Sequence, residues 1–474
     1  MKKVSFLLIY LVFAFCSVQA QQAKYVFYFI GDGMGVNQVL GTEMYRAELK
    51  GEIGIDPLLF TQFPYFTVAT TYSSFNSVTD SAASGTALAT GTKTKNSTLG
   101  LTKDHKTPVS SVAVWAKNSG KRIGISTTVS VDHATPAAFY AHQPVRKLYY
   151  QIGKDLAVSD FDFFAGSDFK DPTNKRAKDG KTYESLYNIV KANGYTIARG
   201  YKNYWKKAKK SDKMILLQTE EASKKDRSSL PYAIDRSKKD LTLEQITRAG
   251  INFLTKEQDK GFFFMVEGGK IDWACHDNDA ATAFTEIIDF DNAIKVAYEF
   301  YSQHPDETLI VITADHETGG MVLGKGPYKL NLQALKAQKK SESGVSAVIN
   351  DLRKKYNNQV SWEVIQQALK DNFGFWDSIE LTKEQEASLK KVYDKSFGNQ
   401  PVELVKSEYH MDEPLSTEAK RIIDSIALVG WTSGGHSAGF VPVIAIGAGA
   451  ELFKGRTDNA EIPMKIAEAA GYQH

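Results

Sequence analysis

The chain has 474 residues, enough for one large α/β domain with insertions or for two or three smaller domains. Its 58 Lys and Arg nearly balance its 55 Asp and Glu, for a formal charge of +3, which argues against a dedicated nucleic-acid-binding protein. Hydrophobic residues make up 42% of the chain and can form a sizeable core, so a chain disordered throughout is excluded.

The first twenty residues have the pattern of a secretory signal peptide. Lys2 and Lys3 precede an apolar stretch over Val4–Phe15, and Ala20 ends a small-residue cleavage site. The stretch is too short for a spanning helix, and no later run reaches about 18 apolar residues. We therefore expect residues 1–20 to be removed and the protein to be periplasmic or extracellular, without a membrane span.

Cysteine usage bears on the same point. Cys16 would suit a lipoprotein, but Phe15 directly before it fits a lipid-attachment signal poorly. Cleavage after Ala20 leaves Cys275 alone, so the mature protein would contain no internal disulfide.

Apolar runs alternate with helical patterns along the chain, which predicts an α/β/α sandwich with a mainly parallel central sheet covered on both faces. Three of the strands are followed by acidic residues, namely Asp32, Glu267 and Asp315, and such strand ends meet at one edge of a sheet. We therefore expect a shared cation site there. The predicted strands are Lys24–Ile30, Thr67–Tyr72, Arg122–Thr128, Gly261–Val266, Thr308–Thr313 and Val441–Ile446. The predicted helices are Val36–Lys50, Ala82–Thr90, Leu148–Val158, Leu243–Leu254 and Ala281–Tyr298.

Two polar segments interrupt this pattern within a catalytic domain that spans residues 21–474. Residues 171–240 form a lysine-rich excursion, which predicts a solvated surface and leaves open a weak role in steering anionic substrates. Residues 326–428 are polar, rich in helical patterns and free of buried-strand runs, so they are interpreted as an insertion.

The stretch Val78–Ala87 is the first candidate site. Asp80 and Ser81 precede small, helix-compatible residues and so lie at a predicted helix N-terminus, where free N–H groups attract anions. Asp and Ser are also preferred N-caps, so a purely structural role for the pair stays open.

Three further motifs offer metal ligands at predicted strand ends. Asp272 and His276 are four residues apart and would share one face of a helix, while Asp315 and His316 are adjacent and His436 follows two glycines. Carboxylates with imidazoles suit a cation such as zinc. Each histidine taken alone would more often be an ordinary loop or core residue, so the joint pattern carries the inference.

A fourth stretch offers a phosphate site. His133 and Thr135 lie in the sequence Asp-His-Ala-Thr-Pro, and Arg146 follows downstream. The guanidinium of arginine is suited to hold phosphate at two oxygens, although Arg146 alone would also fit a surface position.

Taken in order, six motifs between Tyr25 and about Gly447 closely resemble the alkaline phosphatase family. They are Asp32-Gly33-Met34-Gly35, Thr79-Asp80-Ser81-Ala82-Ala83-Ser84, His133-Ala134-Thr135-Pro136, Glu267-x4-Asp272-x3-His276, Thr313-Ala314-Asp315-His316 and Gly434-Gly435-His436.

The resemblance implies a role for each position. Ser81 would be the nucleophile, and Arg146, oriented by Asp80, would hold the phosphate. Two zinc ions and one magnesium would be bound, with His133 and Trp273 close to the third metal. The implied ligands are Asp272, His276 and His436 for the first zinc, Asp32, Asp315 and His316 for the second, and Asp32, Thr135 and Glu267 for magnesium.

The function that the resemblance implies is an exported phosphomonoesterase that forms a phosphoserine intermediate. Small phosphate monoesters would be its substrates and a homodimer its assembly, with residues 326–428 placed like the crown-like surface region of some members. His133 and Trp273 stand where members of the family vary, which leaves the identity of the third metal open.

Two other function classes are weighed against this one. A relative with other chemistry, such as a phosphodiesterase, a sulfatase or a phosphoglycerate mutase, could use the same sheet, although the residues after Ser81 do not form a sulfatase motif. An exported metal- or phosphate-binding protein with a degenerate site would lack a nucleophile or a ligand, and none is missing from the sequence.

Overall fold

The computed structural model describes residues 22–257, 259–397 and 401–474. The predicted signal peptide at residues 1–20 lies outside these ranges. Strands occupy β1 Tyr25–Ile30, β2 Tyr65–Thr70, β3 Arg122–Thr127, β4 Phe163–Gly166, β5 Tyr195–Arg199, β6 Lys213–Leu217, β7 Phe262–Glu267, β8 Thr308–Thr313, β9 Glu317–Thr318, β10 Met321–Leu323, β11 Val405–Lys406, β12 Met411–Asp412, β13 Val429–Trp431, β14 His436–Ser437, β15 Val441–Gly447 and β16 Thr457–Asp458. Helices occupy α1 Val36–Leu49, α2 Ser81–Thr90, α3 Val112–Asn118, α4 Ala134–Ala137, α5 Tyr149–Val158, α6 Leu186–Ala192, α7 Tyr201–Lys207, α8 Glu220–Lys225, α9 Leu243–Leu254, α10 Lys270–His276, α11 Ala280–Tyr301, α12 Glu342–Lys355, α13 Trp362–Phe373, α14 Lys383–Ser396, α15 Pro414–Ala427 and α16 Ile462–Ala470.

A ten-stranded sheet forms the centre, in the order β16-β2-β15-β8-β1-β7-β3-β4-β6-β5. Strand β15 runs antiparallel to its neighbours β2 and β8, and the other neighbouring pairs are parallel. The prediction of a mainly parallel sheet is confirmed.

Both faces of the sheet are covered by side chains from helical regions. The Phe27 ring of β1 packs 5.7 Å from Phe300 of α11, whereas Tyr28 packs 6.0 Å from Phe139, just beyond α4. Successive side chains of a strand point to opposite faces, so α11 and the α4 region lie on opposite sides. This confirms the layered α/β/α architecture.

The register of the central strands brings acidic residues to one edge. Ile30 of β1 pairs with Glu267 of β7 on one side and with Thr313 of β8 on the other. Asp32 and Asp315 each follow two residues beyond this level. Strands β1, β7 and β8 therefore end side by side, which places Asp32, Glu267 and Asp315 at the same edge of the sheet.

The lysine-rich segment differs from its description as a surface excursion, since it contributes two strands of the central sheet, β5 and β6. Tyr204 and Ala208 are buried, while the lysines between and after them are exposed. The lysine runs thus lie at the surface, but the short apolar stretches between them are core. High lysine content around these strands concealed them, because each has only five residues and so gives a short apolar signal.

The insertion at residues 326–428 is mostly helical, as predicted. Helices α12 to α15 share a second hydrophobic core, which includes Tyr45 of α1 and Phe284 of α11. The short hairpin of β11 and β12 also belongs to the insertion. No helix among the described residues has the length and apolar character needed to cross a membrane.

Candidate active site and metal centre

Helix α2 begins at Ser81 and is capped by Asp80. Asp80 Oδ1 accepts a hydrogen bond of 3.0 Å from the N–H of Ala83. The buried Ser81 hydroxyl lies 3.2 Å from Nε2 of His316. The capping role and the anion-site role predicted for this stretch are therefore compatible, because one carboxylate caps the helix while its first turn faces the strand ends.

Group 1 consists of Asp272, His276 and His436. Asp272 and His276 share one face of α10, as predicted, and Asp272 Oδ1 lies 3.3 Å from Nε2 of His276. Nε2 of His436 lies 3.1 Å from Nε2 of His276 and 3.7 Å from the same Asp272 oxygen. The three ligand atoms thus converge on one point.

The outer ring nitrogens of group 1 fix the tautomers. Nδ1 of His276 lies 2.7 Å from the carbonyl oxygen of Gly434, and Nδ1 of His436 lies 2.8 Å from that of Thr79. A carbonyl only accepts, so each Nδ1 carries a hydrogen, and in the neutral form of each ring Nε2 presents a lone pair to the other ring. Two such lone pairs 3.1 Å apart repel each other unless a proton or a metal cation lies between them. Burial lowers the pKa of His276 but Asp272 raises it to about 9, so the site holds a proton in the absence of metal, and a divalent cation would replace that proton.

Group 2 consists of Asp32, Asp315 and His316 and adjoins Ser81. Nε2 of His316 lies 3.4 Å from Asp32 Oδ1 and 3.3 Å from Asp315 Oδ2. On the far side of the ring, Nδ1 lies 3.2 Å from the hydroxyl of Thr318, whose own hydrogen goes to Asp272 Oδ1 at 2.6 Å. Thr318 therefore orients both groups, and Nε2 of His316 again presents a lone pair inward.

Group 3 consists of Asp32, Glu267 and Thr135, with His133 beside them. Thr135 Oγ1 lies 3.4 Å from Asp32 Oδ2, and Asp32, His133 and Glu267 could share one ion. Arg146 Nη2 lies 3.3 Å from Nε2 of His133, and because arginine only donates, that nitrogen accepts. His133 thus directs its lone pair to Arg146, which leaves Thr135 as the better placed ligand.

Each group contains at least one buried carboxylate oxygen without a hydrogen-bond partner, since Asp32 is shared by groups 2 and 3. These atoms are Oδ1 of Asp32, Oε1 of Glu267 and Oδ2 of Asp272. A buried anionic oxygen without a partner is costly and is expected only where an ordered water or a bound ion completes its contacts. The residues present therefore fit bound cations.

The electrostatics of the site lead to the same conclusion. Burial raises the pKa of Asp32 well above its usual value, and the Asp315 carboxylate raises it further. Burial likewise raises the pKa of Asp315 to about 7 and that of Glu267 to about 8. For Asp272, burial opposes ionisation, but the adjacent His276 holds its pKa below the usual value. Divalent cations would remove the mutual repulsion of these carboxylates.

Arg146 also contacts the N-terminus of α2, through the capping residue Asp80. Its Nη1 donates to Asp80 Oδ2 at 3.2 Å, and its backbone N–H donates to the carbonyl of Ser97 at 2.8 Å. The N–H of Ser97 in turn donates to both oxygens of Asp80 at 3.0 Å.

The protonation state of His133 depends on its surroundings. Burial and the Arg146 charge lower the pKa of His133 well below its usual value, so that its imidazole is neutral.

Each predicted site residue lies in one of these groups or beside one, and the roles implied for them remain predictions. Trp273 is buried, with its ring 6.2 Å from that of His133.

Two residues close to the site were not predicted from the sequence. The sequence interpretation assigned no role to Thr318 or Tyr409. Tyr409 stacks on Trp273 with 4.2 Å between ring centroids and lies 5.4 Å from the His276 ring. No sequence pattern pointed to Tyr409, whereas Thr318 lies two residues after the end of the Asp315-His316 motif.

Comparisons with known proteins agree with this arrangement. The family model for alkaline phosphatase matches residues 23–472. Alkaline phosphatase 3 of Bacillus subtilis is 32% identical over 458 residues, which cover 95% of this chain and 90% of that protein. The cold-active alkaline phosphatase of the psychrophile Shewanella sp. is 29% identical with a TM-score of 0.77, over 94% of this chain and 99% of that one. Alkaline phosphatase from the Antarctic bacterium TAB5 is 28% identical with a TM-score of 0.66, over 96% and 100% of the two chains. The chain therefore belongs to the alkaline phosphatase family and is a metal-binding phosphatase.

Proposed function

We propose that the protein is an exported phosphomonoesterase that hydrolyses small phosphate monoesters through a phosphoserine at Ser81. The observation that carries the proposal is the position of the Ser81 hydroxyl, at the head of α2 and 3.2 Å from His316 Nε2. A serine hydroxyl is a weak nucleophile unless a neighbouring base or cation activates it. Group 2 is the part of the described structure that would activate it.

Groups 1 and 2 would each bind zinc, and group 3 would bind magnesium. Imidazole nitrogens with carboxylates suit zinc, whereas Asp32, Glu267 and Thr135 offer only oxygen atoms, which suit magnesium. When bound, these ions supply positive charge that stabilises the attacking and departing oxygens of the ester.

The residues of the chain would then carry out two displacements. In the first, Ser81 Oγ bonds to phosphorus as the ester P–O bond breaks, and the serine proton ends on the departing alcohol. In the second, water gives its hydroxyl to phosphorus and a proton to Ser81, which releases inorganic phosphate. Arg146 and the N–H groups of α2 would hold the phosphate oxygens throughout, where fixed charges contribute most to phosphoryl transfer.

Hydrolysis of p-nitrophenyl phosphate tests this proposal. We expect activity that is lost with a chelator and restored by zinc with magnesium, and that is absent in Ser81→Ala. Ser302→Ala, at an exposed serine, is the matched control and should retain activity. Activity of Ser81→Ala equal to the control would overturn the proposal.

A diester substrate tests the alternative chemistry. Superfamily relatives with phosphodiesterase activity remain the second candidate class, and Arg146 disfavours them because a diester leaves fewer charged oxygens for its guanidinium. Faster cleavage of bis-p-nitrophenyl phosphate than of the monoester would assign the protein to that class instead.

Export and dimerisation belong to the same proposal. The apolar N-terminal stretch supports removal of residues 1–20, and N-terminal sequencing of the exported protein should begin at Gln21. The helical insertion supports a homodimer by its placement, and light scattering should give twice the mass of the mature chain. An uncleaved N-terminus or a monomer would contradict the respective part.

A further inference from the structure

A fourth cluster of ligand-type side chains lies outside groups 1 to 3. Asp277 directly follows helix α10, whereas His410 and Asp412 belong to the β11–β12 hairpin of the insertion. The ligand atoms of these three residues lie within 4.8 Å of one another. Nδ1 of His410 is 2.8 Å from Oδ2 of Asp277. The cluster therefore joins the insertion to the end of the helix that carries His276.

One carboxylate oxygen of the cluster lacks a partner. The Asp277 side chain is only 3% exposed, and its Oδ1 is buried without a hydrogen bond. Oδ2 accepts from the hydroxyl of Tyr232 at 3.3 Å as well as facing His410. A buried carboxylate oxygen without a protein partner indicates a site for a cation or an ordered water, since desolvation without any compensating contact is costly.

The nearby Lys420 makes its hydrogen bond and ion pair with other groups, not with the Asp277 carboxylate. Lys420 donates to the backbone carbonyl of Asp277 and forms an ion pair with Glu342 at 3.2 Å. Asp412 is also buried, and its Oδ2 accepts from the hydroxyl of Ser343 at 3.4 Å. Two buried carboxylates thus face a single imidazole, which leaves room for positive charge.

We propose that Asp277, His410 and Asp412 bind a further divalent cation of the zinc class. One imidazole nitrogen with two carboxylates favours zinc over calcium or magnesium, which prefer oxygen ligands alone. A cleft of about 620 Å³, lined in part by Asp277, Asp412 and Ser407, opens beside the cluster and gives access for water as the remaining ligand.

The ion would link the β11–β12 hairpin of the insertion to the C-terminal end of helix α10. Tyr409 precedes His410 and stacks on Trp273 of α10. An ion shared by the hairpin and the residue after α10 would fix that stack in place. The proposed role is structural and separate from the chemistry at Ser81.

Zinc stoichiometry of the full-length, zinc-loaded protein tests the proposal. We expect His410→Asn and Asp412→Asn each to bind one zinc ion fewer per chain than the wild type. His304→Asn, at a histidine that packs against Tyr25 and Phe300 and belongs to no ligand group, is the matched control and should bind the wild-type number. Excess calcium should not displace the additional ion. Equal zinc content in all four proteins, or displacement of this ion by calcium, would overturn the proposal.

Anomalous diffraction from wild-type crystals at the zinc edge provides a measurement that does not depend on variant folding. A peak between Asp277, His410 and Asp412 is expected in addition to those of groups 1 and 2. Occupied groups 1 and 2 without a peak at the cluster would show a hydrogen-bonded pair of Asp277 and His410 only, and would overturn the proposal.

Discussion

Asp80 Oδ2 accepts from Arg146 Nη1 at 3.2 Å, while Oδ1 of the same carboxylate caps helix α2 through the N–H of Ala83. One side chain thus sets the start of the helix that carries Ser81 and also orients the guanidinium beside it. The Asp80 carboxylate thus has a structural function, capping α2, and an electrostatic one, pairing with Arg146. Substitutions of Asp80 can test the two functions separately.

Asp80→Asn and Asp80→Ala should differ in stability. Asparagine keeps an oxygen that can cap α2, whereas alanine removes the cap, which typically costs about 1 kcal/mol. Chemical denaturation should therefore rank the free energy of unfolding as wild type, then Asn, then Ala. Equal losses in the two variants would show that the charge of Asp80, not its cap, stabilises the protein.

Arg146→Lys should weaken phosphate binding. Lysine keeps the charge but loses the forked pair of donors, and a hydrogen bond to a charged group contributes about 1.5–3 kcal/mol, or roughly 10- to 100-fold in affinity. The inhibition constant for inorganic phosphate measures this change. Arg248→Lys, whose partners Glu244 and Glu299 lie at the surface, should leave the constant unchanged. An unchanged constant in Arg146→Lys would remove Arg146 from the phosphate site.

Thr318→Val should loosen the metal centre. The buried Thr318 hydroxyl donates to Asp272 and accepts from His316, so it orients a ligand in group 1 and another in group 2. Loss of such an outer partner typically weakens metal binding about 10- to 100-fold. Competition with a chromophoric chelator measures the zinc affinity. Thr318→Ser keeps the hydroxyl and should restore most of it; a serine variant as weak as valine would assign the effect to packing.

Metal-free protein should lose stability as the pH rises from about 6.5 to 8. Burial raises the pKa of Asp315 to about 7 and of Glu267 to about 8, so the folded chain holds protons that the unfolded chain has already lost. Burial opposes protonation of His276, but Asp272 raises its pKa to about 9, which acts in the same direction. Each group contributes at most about 1.4 kcal/mol per pH unit.

Thermal midpoints of chelated and metal-loaded protein at pH 6.5 and 8 measure this effect. The midpoint of the chelated protein should fall over this interval, and the stabilisation by metals should grow, because the ions replace the protons. A chelated protein that becomes more stable with rising pH would contradict the carboxylate pKa shifts.

Much of the fold and the site could be predicted because local patterns specify them. The spacing of Asp272 and His276 indicates a shared helical face, and the apolar run before Asp32 indicates a buried parallel strand. The sequence patterns did not predict strands β4 to β6, because these strands are short and two of them lie between lysine runs. The position of Tyr409 over Trp273 depends on how the insertion packs against α10, and periodicity within the insertion carries no information about that.

The most direct test of the central claim is peptide mapping of enzyme quenched with acid during turnover of a phosphate monoester. Ser81 lies nearest the metal centre among the predicted catalytic residues, so a phosphoryl group should be recovered on the peptide that contains it. Ser81→Ala should yield none. A phosphoryl group on a different residue, or full turnover by Ser81→Ala without any covalent intermediate, would contradict the account.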